Sequence, residues 1–285
     1  MVTVRSSPGS PAATSASSSS TGRSASGLPS LGLISHGTSS AQGQALIEAL
    51  AAAVADDLRE RGFVDEVVLG HVDVQQPDVD EVIDRLPSDC PAVLVPLLLS
   101  PGYHVHVDLA EALERAADRD VRLAMTLGPD ARLAKILADR LPPLREDDEV
   151  VLAAAGSSDE RANRSCEAMG ELLASELGRA VSVGFLAGGG VPLKSFVEQN
   201  RPDGSRLIAA NYLLAPGFFD DLARSLVTDP GPGQGGSEQC LLAPPLLAPG
   251  PDTCAAQNPV EARVQAVPAE LVDIVRDRLL DVLGD

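Results

Sequence analysis

The chain contains four histidines, and all of them lie in its first half: His36, His71, His104 and His106. Neutral imidazole is the commonest metal ligand and the side chain that titrates nearest neutral pH. Their placement gains meaning from a repeat. Leu33-Ile34-Ser35-His36-Gly37-Thr38-Ser39 recurs as Leu152-Ala153-Ala154-Ala155-Gly156-Ser157-Ser158. Leu98-Leu99-Ser100-Pro101-Gly102-Tyr103-His104 recurs as Leu213-Leu214-Ala215-Pro216-Gly217-Phe218-Phe219. His36 therefore stands opposite Ala155, and His104 opposite Phe219. A duplicated scaffold with imidazoles in one half and apolar side chains in the other reads as one working site and one retired one.

Together, His36 and His104 favour a metal site or a proton-transfer site. Asp73, within Gly70-His71-Val72-Asp73-Val74-Gln75-Gln76-Pro77, also vanishes from the second copy, where Ala187 or a neighbouring glycine replaces it. A carboxylate beside two imidazoles makes a mixed N/O site suited to Fe(II), Co(II) or Ni(II). The competing role for Asp73 is an N-cap to the helix that follows Pro77. His71, one residue beyond a strand run, and His106, on the polar face of a helix, carry weaker signals. Acyl transfer by Ser35-His36 is disfavoured, because no G-x-S-x-G elbow occurs and adjacent strand residues point to opposite faces. Gly188-Gly189-Gly190 matches neither nucleotide fingerprint, so no nucleotide cofactor is expected.

The elements that must hold these residues alternate. Apolar runs at Leu31–Ser35, Glu66–Gly70, Ala92–Leu99 and Val121–Leu127 predict four strands. Amphipathic stripes between them predict helices: Leu46, Leu50, Val54 and Leu58; then Val79, Val82, Ile83 and Leu86; then Leu109, Ala112, Leu113, Ala116 and Ala117; then 130–141, stopped by Pro142-Pro143. The second half repeats the order, with strands at Val150–Ala155, Val181–Leu186, Arg206–Leu214 and Cys240–Leu247. Its helices fall near 159–177, 192–200, 217–227 and 268–283. Strands that are apolar throughout and alternate with helices imply parallel sheets covered on both faces. The predicted fold is α/β, with two similar doubly wound lobes and parallel four-stranded sheets produced by internal duplication. Ligands of such sheets bind beyond the carboxyl ends of the strands, where the histidines lie.

The expected division is a Ser/Ala-rich disordered tail over 1–28, a lobe over 29–145 carrying the active site, and a degenerate repeat lobe over 146–285. Loop insertions fall near 229–237 and 248–267. A net charge of −19 argues against nucleic acid. No apolar run is long enough to cross a bilayer, and the first residues lack the apolar segment of a secretory signal. Cys90, Cys166, Cys240 and Cys254 are scattered, as in a reducing cytoplasm. Cys240 and Cys254 share one loop region, and no pattern favours a bridge or a metal between them. Since two lobes already make a cleft, a monomer or a homodimer would serve.

The His36-Gly37-Thr38 turn, Val72-Asp73-Val74-Gln75-Gln76-Pro77, the Val95-to-Val105 block and Leu127-Gly128-Pro129-Asp130 together resemble the sirohydrochlorin chelatase family, the ATP-independent class II chelatases of sirohaem and cobalamin synthesis. The resemblance covers about 31 to 285, dense in the first half and faint in the second. It implies two α/β lobes with a tetrapyrrole between them, and a divalent metal substrate, Fe2+ or Co2+, inserted with release of two protons. By carry-over, His36 and His104 bind metal or accept protons, and Asp73 is their acidic partner, at a position where family members commonly carry glutamate. Gly37, Thr38, Ser39, Gly102 and Tyr103 would contact sirohydrochlorin. Backbone N–H groups of the 37–40 and 156–159 turns, with Ser and Thr hydroxyls, are expected to answer its carboxylates. A non-catalytic metal or tetrapyrrole carrier is the alternative.

Overall fold

The computed structural model describes residues 27–102, 105–199, 205–228, 239–248 and 267–284, with the side chains of 105 and 106 excepted. The tail, the insertions over 229–237 and most of 248–267, Cys254, Tyr103 and His104 lie outside the described residues.

Two four-stranded parallel sheets carry the fold. The first has strands β1 (Ser30–Ser35), β2 (Val67–His71), β3 (Ala92–Pro96) and β4 (Val121–Leu123), in the order β2-β1-β3-β4. The second has β5 (Glu149–Ala154), β6 (Val181–Phe185), β7 (Leu207–Tyr212) and β8 (Cys240–Leu242), in the order β6-β5-β7-β8. Both orders are the same once renumbered, so the sequence repeat is also a repeat of topology. Strands β1, β3 and β7 are buried along their lengths, as strands covered on both faces must be.

Helices α1 (Ala41–Glu60), α2 (Val79–Arg85), α3 (Ala110–Arg115), α4 (Ala131–Arg140), α5 (Glu160–Leu177), α6 (Leu193–Val197), α7 (Phe218–Thr228) and α8 (Ala269–Gly284) connect and cover the sheets. A short π-helical segment, Val105–Leu109, leads into α3, so the predicted third helix begins wide and ends early. Several strands also stop short of their apolar runs. After Pro96, Leu97 N–H turns back to Ile34 O, and Leu127 N–H bonds Leu98 O. These residues leave the ladder to build the loops above the sheet, and their apolar side chains line what those loops enclose.

The fourth helix of each half is exchanged. Helix α4 follows the first sheet but packs on α5 and β7 of the second; α8 follows the second sheet but packs on α1 and β3 of the first. Leu133, Ile136 and Leu137 of α4 and Leu271, Ile274, Val275 and Leu279 of α8 thus join one continuous core shared by both sheets. Arginines repeat the exchange. Arg140 of α4 donates to Leu246 O and Ala248 O beyond β8, while Arg278 of α8 donates to Thr126 O and Leu127 O beyond β4. Each clasp satisfies carbonyls that have left their sheet and would otherwise be buried without donors.

Candidate functional site

A cavity of about 750 Å³ opens between the carboxyl ends of the two sheets. Its walls come from equivalent loops: 35–39, 97–102 and Val74 from the first half, and 154–158 and 212–220 from the second. Of the residues expected from sequence, His36, Gly37, Thr38, Ser39 and Gly102 line it. His36 is exposed, one residue past the end of β1.

The two β-to-α turns are built alike, down to individual hydrogen bonds. Val72 and Asp73 N–H donate to Ser35 O and His36 O; Leu186 and Ala187 N–H donate to Ala154 O and Ala155 O. Gly37, at φ 93°, lets the 73 loop press close, since a Cβ there would stand 1.9 Å from Asp73 O. Gly156 meets Ala187 O at the same distance. Ser40 N–H donates to Thr38 Oγ1 at 3.1 Å, and Asp159 N–H to Ser157 Oγ at 3.1 Å. Gln44 Nε2 donates to Thr38 O at 2.7 Å, while Asn163 Nδ2 donates to Ser157 O at 2.9 Å.

These bonds correct one expectation. The Thr38 amide is taken by Gln75 Oε1 at 2.9 Å and the Ser157 amide by Asn163 Oδ1 at 3.0 Å. With Ser40 and Asp159 also engaged, four of the turn amides are committed inside the protein rather than held ready for ligand carboxylates. No lysine or arginine is found among the described residues lining the cavity either.

Asp73 stands apart from the cavity lining. It is exposed, is not among the cavity-lining residues, and turns its Oδ1 back to accept Val74 N–H at 2.7 Å. Its backbone stands beside His36 while its carboxylate serves its own loop. The N-cap role belongs instead to Asp78, which accepts Glu81 N–H at 2.9 Å. Among the described residues, no group of three or more His, Cys, Asp or Glu side chains could hold a metal ion.

His71 is not beyond its strand. It ends β2, pairs in register with Ser35, and is 5% exposed. Its Nδ1 lies 2.7 Å from Ser35 Oγ. Burial pushes the imidazole below its usual pKa, against an upward pull from Glu48 on α1. Phe185 occupies the equivalent end of β6: His71 N–H bonds Pro77 O as Phe185 N–H bonds Val191 O. The hydrogen-bonded Ser35–His71 pair is thus matched by Ala154 and Phe185, an apolar pair. Sequence reasoning passed over this pair; aligning the second strands, Val-Val-Leu-Gly-His with Val-Ser-Val-Gly-Phe, would have exposed it.

Deeper in the cavity, Tyr212 is buried and donates its hydroxyl to Leu99 O at 2.9 Å, tying the second sheet to a loop of the first. Burial holds its pKa well above the usual tyrosine range. Burial pushes the thiol of Cys166 on α5 up to about 11, partly offset by a hydrogen bond to Ser100. Cys90 and Cys240 are buried thiols as well. Asp220 is buried at the cavity edge, where Asn211 Nδ2 donates to it at 2.8 Å and Arg224 pairs with it at 3.1 Å.

Val74 is an outlier. This β-branched residue sits at φ 67° while 59% exposed, and its counterpart, Gly188, adopts φ 74° with no side chain to strain. Holding valine there costs about 1–3 kcal/mol.

Comparison with known proteins gives this geometry its context. The family model described as CbiX matches residues 30–143. A curated sirohydrochlorin cobaltochelatase of Sulfurisphaera tokodaii is 31% identical over 83 residues, 28% of this chain and 69% of that protein. The solved structure of SirB from Bacillus subtilis with Fe3+ superposes with a TM-score of 0.68 at 20% identity, covering 90% of this chain and 98% of that one. CbiX, described as the terminal enzyme of sirohaem biosynthesis in denitrifying bacteria, gives 0.53 at 17% identity, over 87% and 98% of the two chains. The structures share the two-lobed architecture, and the sequence match falls within the half that carries the imidazoles. On these grounds the chain belongs to the sirohydrochlorin chelatase family.

Proposed function

We propose that this protein inserts a divalent metal, Fe2+ or Co2+, into sirohydrochlorin without a nucleotide, for sirohaem or cobalamin synthesis in the cytoplasm. The observation that carries the reading is His36: an exposed imidazole on the wall of an inter-lobe cavity, in a turn whose backbone hydrogen bonds are repeated at Ala155 without one. In insertion, the metal exchanges its ligands for pyrrole nitrogens and two N–H protons leave. A neutral imidazole at the rim can hold the arriving ion or take a proton. His104, in the loop after β3, is assigned the partner role by the family pattern. Asp73 contributes by holding the loop that backs His36, through its own N–H to His36 O. Gly37, Thr38, Ser39 and Gly102 form the macrocycle-facing wall, and Tyr103 is assigned to the tetrapyrrole by the family pattern.

The test is anaerobic visible spectroscopy of sirohydrochlorin with Fe2+ or Co2+ and substoichiometric protein. Multiple turnovers are expected for wild type and lost in His36→Ala and in His104→Ala, with folding retained by circular dichroism. Binding without turnover would replace catalysis by a carrier role. Variants as fast as wild type would remove both histidines from the chemistry.

A further inference from the structure

This inference rests on the chelatase reading and adds to it the residues that grip the flat face of the ligand. The chain is poor in aromatic side chains, with five Phe, two Tyr and no Trp. Three of those seven, Tyr212, Phe218 and Phe219, line the inter-lobe cavity. Their environments differ. Tyr212 is buried and committed to Leu99, and Phe219 is half-buried, whereas Phe218 is 74% exposed. Among the described residues the exposed large apolar side chains are Val74, Met125, Val191 and Phe218, and two of these four, Val74 and Phe218, are cavity residues.

Both are held in place rather than left loose. Phe218 opens α7 directly after Pro216-Gly217. Gly43 of α1 packs so closely that a Cβ would stand 2.3 Å from Pro216 O, and a Cβ on Gly217 would stand 3.0 Å from Thr38 Oγ1. The start of α7 is thereby seated on the His36 turn of the other lobe. The Phe218 ring packs against that of Phe219 in a T-shaped contact, with centroids 5.4 Å apart at 75°, and remains presented to solvent. Val74 is held in a left-handed backbone that its counterpart satisfies with glycine. A solvent-facing phenyl and a strained, exposed valine on the walls of one cavity gain nothing from the fold itself. Both gain if a large, flat, apolar surface covers them.

We infer that Phe218 and Val74 are positioning residues for the tetrapyrrole, packing on its conjugated ring and setting its place relative to His36. The repeat puts Tyr103 at the position equivalent to Phe218, so both halves carry an aromatic residue immediately after Pro-Gly. Flat conjugated ligands stack on such rings whatever their peripheral groups. That suits a cavity whose described lining offers no lysine or arginine to bind carboxylates.

The experiment is a binding titration with metal-free sirohydrochlorin, followed by the shift of its visible absorption, on wild type, Phe218→Ala, Phe218→Trp and Val74→Gly. Phe218→Ala should weaken binding about tenfold or more, and Val74→Gly about threefold, from lost stacking and contact. Val74→Gly should hold or raise thermal stability while it weakens binding, a split that a merely structural role would not produce. Because the natural chain lacks tryptophan, Phe218→Trp supplies a single fluorophore; it should bind as wild type does and be quenched on saturation. Wild-type-like binding by both Phe218→Ala and Val74→Gly, or an unquenched tryptophan at saturation, would overturn the inference. Failure of wild type itself to bind would overturn the chelatase reading on which it stands.

Discussion

The two halves of the molecule share a backbone and differ in what they hang on it. The turn after β1 and the turn after β5 share most of their hydrogen bonds, among them the Thr38–Gln44 contact and its Ser157–Asn163 copy, although the Thr38 amide is taken by Gln75 and the Ser157 amide by Asn163. Yet His36 faces Ala155 across the repeat, and the buried Ser35–His71 pair faces Ala154 and Phe185. The architecture therefore does not require the imidazoles. A glycine at positive φ, a serine or threonine hydroxyl and an amide side chain are enough to form the turn, which frees the remaining position for chemistry.

Exchanging residues between the halves tests this. The largest effect is expected at His36: His36→Ala should lower insertion at least about a hundredfold, while unfolding in urea stays near wild type because the side chain is exposed. Ala155→His should not restore the lost activity in that background. Next is the pair Val74 and Gly188. Gly188→Val would place a Cβ 2.5 Å from Ser157 O and should cost about 3 kcal/mol by denaturant titration, although the first half carries valine at this backbone geometry.

The arginine clasps should behave alike in both halves. Arg140→Met and Arg278→Met should each cost about 2 kcal/mol, since each removes two charge-assisted bonds to loop carbonyls. A marked difference between them would show that the exchanged helices do not contribute equally.

The subtlest change concerns His71. His71→Phe leaves the Ser35 hydroxyl buried without its partner and should cost about 1–2 kcal/mol; adding Ser35→Ala, to complete the apolar pair of the second half, should recover most of it. Because burial lowers the folded-state pKa of His71, the unfolded chain binds the extra proton first as pH falls. Stability should be unaffected by this group above its ordinary value of 6.5 and decline as pH drops below it. The double variant should show a shallower decline between about pH 7 and pH 5 in denaturant melts.

Much of this was legible in the sequence, for identifiable reasons. Apolar runs buried on both faces announced the parallel sheets, and the repeat announced their equivalence. His36 stood out because Ala155 marks the same place without an imidazole. The misses have a common origin in partners far apart along the chain. Runs such as Ala92–Leu99 read as single strands because apolar side chains do not record where the backbone leaves the ladder. Gln75 and Tyr212 are ordinary in sequence; their roles come from reaching Thr38 and Leu99 across the fold. The exchange of α4 and α8 left no mark in hydrophobic periodicity, which says that a helix has an apolar face but not which sheet it covers.

That exchange bears on how the site can be asymmetric at all. A chain of one repeat could cover its sheet only by lending its last helix to a second identical chain, the arrangement of a swapped dimer. Strict symmetry would then oblige both sides of the cleft to carry the same residue at each equivalent position. Joining the repeats in one polypeptide keeps the reciprocal helices and removes the obligation. One wall can then present an imidazole and the facing wall a phenyl ring, a division of labour closed to any assembly of identical halves.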